Sequence, residues 1–125
     1  MTENELSNKV IGACIEVHKS LGPGLLENVY QECLAQEFSI QQIPFQKELS
    51  KPVEYKGVLM DCSLRLDFLV DQKVVVELKA VDRVSPVHKA QVLTYLKLTG
   101  YKLGLLINFN VPALKDGIER VVLGL

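Results

Sequence analysis

Between Met60 and Lys79 apolar side chains return at every second position, a period that only extended chain can bury. Leu64, Leu66 and Phe68 share one side of a strand that runs to Val70, while Arg65, Asp67 and Leu69 take the other. Asp71-Gln72 marks a short turn, and Lys73 to Lys79 alternates again. Val74, Val76 and Leu78 lie on one side there, with Val75, Glu77 and Lys79 opposite. An earlier strand, Leu49 to Tyr55, enters this pair through a tight turn at Lys56-Gly57. The half-polar, half-apolar pattern predicts a sheet packed against helices on one face.

The flanks read as those helices. Leu6, Val10, Ala13, Cys14, Val17 and Leu21 recur at spacings of three and four, which gives one apolar stripe ending at Gly22-Pro23-Gly24. A second helix runs from Leu25 to about Phe38, with Leu26, Val29, Cys33 and Leu34 as its inward face. A third spans Ser85 or Pro86 to Leu98, with Ser85 suited to cap it and Gly100 to end it. The apolar run from Lys102 to Asn108 follows as a strand, parallel to its predecessor by a right-handed crossover. Glu119 to Leu123 adds an edge strand. The sum is an α/β fold with a mixed central sheet.

The chain has 125 residues, enough for one domain over 1–125 and too few for two. Its net charge of -1 excludes coating nucleic acid by bulk charge but leaves room for a local basic groove. Such a cluster stands between Lys79 and Lys97, where Lys79, Arg83, Lys89 and Lys97 face Asp82 alone. No apolar stretch approaches membrane-spanning length, and Met1 to Asn8 is polar and acidic, unlike a signal peptide. The cysteines, Cys14, Cys33 and Cys62, form no C-x-x-C pair. A reducing cytoplasm is the expected location, with no membrane contact.

The chemistry concentrates in the central strands. A two-residue turn at Asp71-Gln72 places Asp67 opposite Val76, and a three-residue connection places it opposite Glu77. Carboxylates that share a face repel unless a cation lies between them. Magnesium accepts hard oxygen ligands and keeps several waters, so two carboxylates can suffice. Lys79, two residues beyond Glu77, faces the same way. Taken singly, each feature has an ordinary account. Charged strand residues usually make a solvated face, and a glutamate near a helix start is favoured by the backbone amides alone. His18, beside the first stripe, reads first as a partly buried, hydrogen-bonded histidine.

Together the motifs carry a resemblance. Asp67 with the Glu77-x-Lys79 triplet resembles the core motif of the PD-(D/E)XK nuclease superfamily. Gln91-Val92-Leu93-Thr94-Tyr95 resembles the Q-x-x-x-Y helix motif of its RecB-like branch. Gly24-Leu25-Leu26-Glu27-Asn28-Val29-Tyr30 matches the motif for which the GxxExxY proteins of that superfamily are named. The resemblance spans nearly the whole chain. The glycine that often precedes the first aspartate in RecB-like enzymes is replaced by Leu64-Arg65-Leu66, and the proline of the superfamily name is missing before Asp67.

The resemblance implies a restriction-endonuclease-like core and magnesium-dependent phosphodiester hydrolysis of nucleic acid, DNA before RNA, with manganese as the substitute metal. It implies that Asp67, Glu77, the backbone carbonyl of Leu78 and Glu27 hold the metal, and that Lys79 orients the water. Gln91 faces the site, and Tyr95, one turn on, touches a phosphate or braces Gln91. Tyr30, His88 and Lys89 are the further candidates for substrate contact. A chain with one centre cuts both strands only as a homodimer or by successive nicks. The alternatives are a catalytically inactive module of the same fold, binding nucleic acid or protein, and an interaction protein that docks through its apolar tail, Val121 to Leu125.

Overall fold

The computed structural model describes every residue from Met1 to Leu125. Its elements are α1 (Glu3–Leu21), α2 (Glu27–Ile40), β1 (Phe45–Tyr55), β2 (Val58–Val70), β3 (Val74–Lys79), α3 (Pro86–Thr99), β4 (Leu103–Asn108) and β5 (Ile118–Val122). One 3-10 turn, Leu114–Gly117, precedes β5 and had no signal in the sequence. The five strands lie in chain order across one sheet. β3 and β4 are parallel and every other pair is antiparallel, so the expected mixed sheet with α3 as its crossover is present.

Helices cover both faces rather than one. Phe68, Val70, Val74, Val76, Leu78, Leu103, Leu105 and Ile107 pack beneath α1 and α2. Leu66, Leu69, Val75, Leu106 and Val121 pack beneath α3. β3 is buried on both sides from Val74 to Leu78, and β4 throughout. A parallel pair is shielded on both faces because its crossover must cross one of them. Val121 belongs to this core, so only Val122 to Leu125 of the apolar tail remains exposed.

α1 forms as its stripe predicts. Leu6, Val10, Ala13, Cys14 and Val17 are buried, Thr2 Oγ1 accepts the Glu5 amide at 3.2 Å, and Gly22 leaves the helix at φ 69°. α2 starts later than expected and is rotated. Its buried residues are Tyr30, Leu34 and Phe38, while Leu26 is 75% exposed. The stripe of larger side chains wins because it buries more apolar area against the sheet. Glu27 falls on that same stripe, three residues before Tyr30, at the end nearest the strand termini.

β2 is irregular at two places: its register to β1 shifts between Pro52 and Glu54, and its alternation breaks nearer its end. β1 and β2 pair through Lys47↔Phe68 and again from Leu49↔Leu66, but Glu48 and Asp67 do not pair. Glu48 holds φ 53°, an unfavourable conformation for a side chain-bearing residue. The faces exchange there: Phe68 lies under α1 and α2, whereas Leu66 lies under α3 with Leu69. The expectation that Leu66 and Phe68 share a side is therefore corrected by a break centred on Asp67.

Gly117 fixes the approach of the 3-10 turn to β4. A Cβ at this position would stand 2.1 Å from the Asn108 carbonyl oxygen, which is backbone and cannot swing aside. Gly117→Ala is expected to destabilise the fold by about 1–3 kcal/mol, read as a lower urea midpoint at unchanged slope.

Candidate active site

β2 and β3 close through a three-residue connection, with Val70 opposite Val74 and Phe68 opposite Val76. That register sets Asp67 level with Glu77, the second of the two arrangements the sequence left open. The ladder stops there, and the two acids replace it. The Asp67 amide donates to Glu77 Oε1 at 3.1 Å. The Leu78 amide donates to Asp67 Oδ2 at 2.9 Å. The break opposite Glu48 frees the Asp67 backbone for this exchange, so the irregularity in β2 and the acidic pair are one feature.

Glu77 is only 6% exposed. Burial, and then the neighbouring Asp67 carboxylate, push its carboxyl well above the usual range, with Lys79 opposing. Glu27 is raised as well, first by desolvation and then by Asp67, again against Lys79. Tyr95 on α3 is raised by burial and by the charges of Glu77 and Asp67, so its phenol keeps its proton and remains a donor. These shared influences tie β2, β3, α2 and α3 into one electrostatic neighbourhood at the carboxyl end of β3. Clefts outside such strand ends are where open α/β sheets bind ligands.

The remaining candidates are distributed as follows. Lys79 is half-buried, in register with Asn108 of β4. Gln91 lies on α3 one turn before Tyr95 and is exposed. Lys89 is exposed and reaches Glu119 on β5 at 3.5 Å. His88 Nδ1 accepts the Ser85 amide at 3.1 Å, so this ring closes the start of its own helix. Tyr30 is fully buried and offers a substrate no surface. Its hydroxyl donates to the Gly22 carbonyl at 2.6 Å and accepts the Leu25 amide at 3.2 Å, and its ring stacks on Phe109. It is a brace for the loop before Glu27, which corrects its assignment to substrate contact. His18 Nε2 donates to the Val111 carbonyl at 2.9 Å, as the bland reading of that histidine expects.

Asn108 and Asn110 were missed. Asn108 is 3% exposed, and its amide bonds both the N–H and the carbonyl of Val81. Asn110 bonds Gly24 and Asp82. Their signal was a polar Asn-Phe-Asn run closing an otherwise apolar strand. A cleft of about 270 Å³ opens nearby, lined by Asp82, Arg83, Asn108 and Glu119 among others, but Asp67 and Glu77 do not line it.

A family model described as the PD-(D/E)XK nuclease superfamily matches residues 4–121. The chain belongs to the PD-(D/E)XK nuclease superfamily. The order of its sheet and helices agrees with the restriction-endonuclease-like core of that superfamily. Among solved structures, one described as "Crystal structure of SSO0001" superposes with a TM-score of 0.52 at 20% identity. The match covers 75% of this chain and 47% of that one, so this chain spans about half its length and the likeness concerns the fold. No curated protein matches. No helix is long and apolar enough to cross a membrane.

The superfamily's divalent metals can be tested against the residues present. No three His, Cys, Asp or Glu side chains stand close enough as a group to hold an ion by themselves. The donor set nevertheless fits a hard divalent cation. Asp67 and Glu77 stand side by side, Glu27 and Lys79 act on them through charge, and a hard cation that keeps most of its water needs only one or two carboxylates. The upward shifts at Glu27 and Glu77 come first from burial and then from the Asp67 charge, and Lys79 does not offset them.

Proposed function

We propose that the chain hydrolyses phosphodiester bonds in DNA with magnesium, as a member of the GxxExxY group acting in the cytoplasm. The observation that carries this reading is the pair of hydrogen bonds by which the Asp67 amide donates to Glu77 and the Leu78 amide donates to Asp67, with Lys79 two residues beyond Glu77. Asp67, Glu77, the Leu78 carbonyl and Glu27 would hold the metal. When bound, magnesium supplies charge neutralisation at the phosphate oxygens and makes water a stronger acid at neutral pH.

The chain's own residues do the rest. Lys79 donates hydrogen bonds that orient the attacking water in line with phosphorus and offset charge as it grows on the phosphoryl group. Tyr95, protonated at working pH, donates to a non-bridging oxygen. Gln91 is placed one turn before it to meet the neighbouring phosphate. Lys89 and His88 lie along α3 beside the backbone path, but the ion pair of Lys89 and the cap made by His88 leave them lesser roles. Cutting both strands requires a homodimer or two successive nicks.

A catalytically inactive module is favoured by one observation, the lack of a closed three-ligand cluster. Crystals grown with manganese separate the two. The nuclease reading expects an anomalous peak between Asp67 and Glu77 that vanishes in Asp67→Asn. Full manganese occupancy elsewhere with none at this pair would overturn it.

A further inference from the structure

Glu27 stands outside the sheet at the first turn of α2, within range of the Asp67 charge. The loop before it, Gly22 to Leu26, has little to hold it. Pro23, Gly24, Leu25 and Leu26 are exposed, and Gly22 and Gly24 take φ 69° and 96°, where the chain gains nothing from regular structure. Leu26 sits at the helix start without a side-chain cap. The Tyr30 hydroxyl closes the loop on itself through Gly22 and Leu25.

One hydrogen bond ties this loop to the strand ends. The Gly24 amide donates to Asn110 Oδ1 at 3.1 Å across 86 residues of sequence. Asn110 is itself oriented twice. Its Nδ2 donates to Asp82 Oδ1 at 3.3 Å, and its backbone amide donates to Asn108 Oδ1 at 3.2 Å. Asn108 is buried, in register with Lys79, and holds Val81 two residues after that lysine. The chain of contacts runs from the strand that carries Glu77 and Lys79, through Asn108 and Asn110, to the loop that leads into Glu27.

We infer that Asn110 is a positioning residue, which locks the Gly22–Leu26 loop to the ends of β3 and β4 and so sets Glu27 beside the Asp67–Glu77 pair. The clamp stands on hydrogen bonds alone, and its consequence for a metal rests on the nuclease reading above. Partners that orient ligating carboxylates commonly govern affinity by ten-fold or more. Asn110 touches none of Asp67, Glu77 and Glu27, so its effect must pass through the placement of Glu27.

The test uses the full chain as wild type, Asn110→Ala, Glu27→Gln and the double variant. Manganese affinity is measured by calorimetry, and amide exchange is followed at Gly24 without metal. Asn110→Ala is expected to weaken manganese about ten-fold and to speed Gly24 exchange, with no further weakening in the Glu27→Gln background. A merely structural role would lower the melting temperature and leave that coupling absent. Equal weakening in both backgrounds, or unchanged Gly24 exchange, overturns the inference. If wild type takes no manganese, the nuclease reading falls, and exchange at Gly24 alone decides the clamp.

Discussion

Glu77→Gln is expected to abolish magnesium-dependent DNA cleavage and to raise the melting temperature of the metal-free protein at pH 8. The two effects share one cause. The Glu77 carboxylate is buried beside Asp67 and is held above its ordinary pKa, so ionising it costs the fold energy that a bound cation would return. Glutamine keeps an oxygen to accept the Asp67 amide and removes the charge. The loss in rate should be on the order of 10³-fold or more, as for other residues that act in a unit with their neighbours. Asp67→Ala should lose the same activity without the gain in stability. Relief of repulsion there is offset by the Leu78 amide, which loses its acceptor in a buried strand. Lys79→Ala should lower kcat while manganese affinity changes little, because the lysine orients water and holds no metal. Plasmid nicking, calorimetric titration and thermal melts of the same preparations check all three. Cleavage that survives Glu77→Gln would remove that residue from the metal shell.

The metal-free protein should be most stable in mild acid and should weaken as pH rises. Glu77 and Glu27 are both shifted upward in the folded state. Below the ordinary carboxylate range both states are protonated and the full stability is present. As pH climbs past that range the unfolded chain releases its protons while the folded chain retains them, so stability falls until the folded pKa is passed. While one proton separates the states, the slope is about 1.4 kcal/mol per pH unit, or about 5 °C in melting temperature for a domain of this size. Manganese competes with those protons, so its stabilising effect should grow with pH. Melting curves from pH 5 to 8.5, with and without manganese, give both trends. A flat metal-free profile, or a manganese shift independent of pH, would contradict the crowded-carboxylate account. In Glu77→Gln the slope should be visibly reduced.

Much of the architecture was legible because it is written locally. The stripe of α1, the alternation through β2 and β3, the proline and glycine that bound α3, and the apolar run of β4 each depend on neighbours within a few residues. The three motifs were legible for the same reason, and they fall on the expected strands and helices. Three features were not. The inward face of α2 was misread because Leu26-Val29-Cys33 and Tyr30-Leu34-Phe38 have equally good helical spacing, and only the surface beneath decides which is buried. Covering of both sheet faces was missed because Glu77 and Lys79 made β3 look half-solvated, although burial extends through Leu78. Tyr30 reads as a substrate contact because its motif is shared with Glu27, while its neighbours in the fold make it core.

The sequence by itself determined the order of helices and strands, the membership of Asp67, Glu77 and Lys79 in adjoining strands, and the superfamily they signal. Tertiary structure alone decided that Asp67 leaves the β1 ladder to donate to Glu77 and accept from Leu78, and that Asn110 reaches Gly24. The physical reason is range. Periodicity and capping are set by residues three or four apart, whereas a carboxylate's partners and its pKa are set by whatever the folded chain brings to it from tens of residues away.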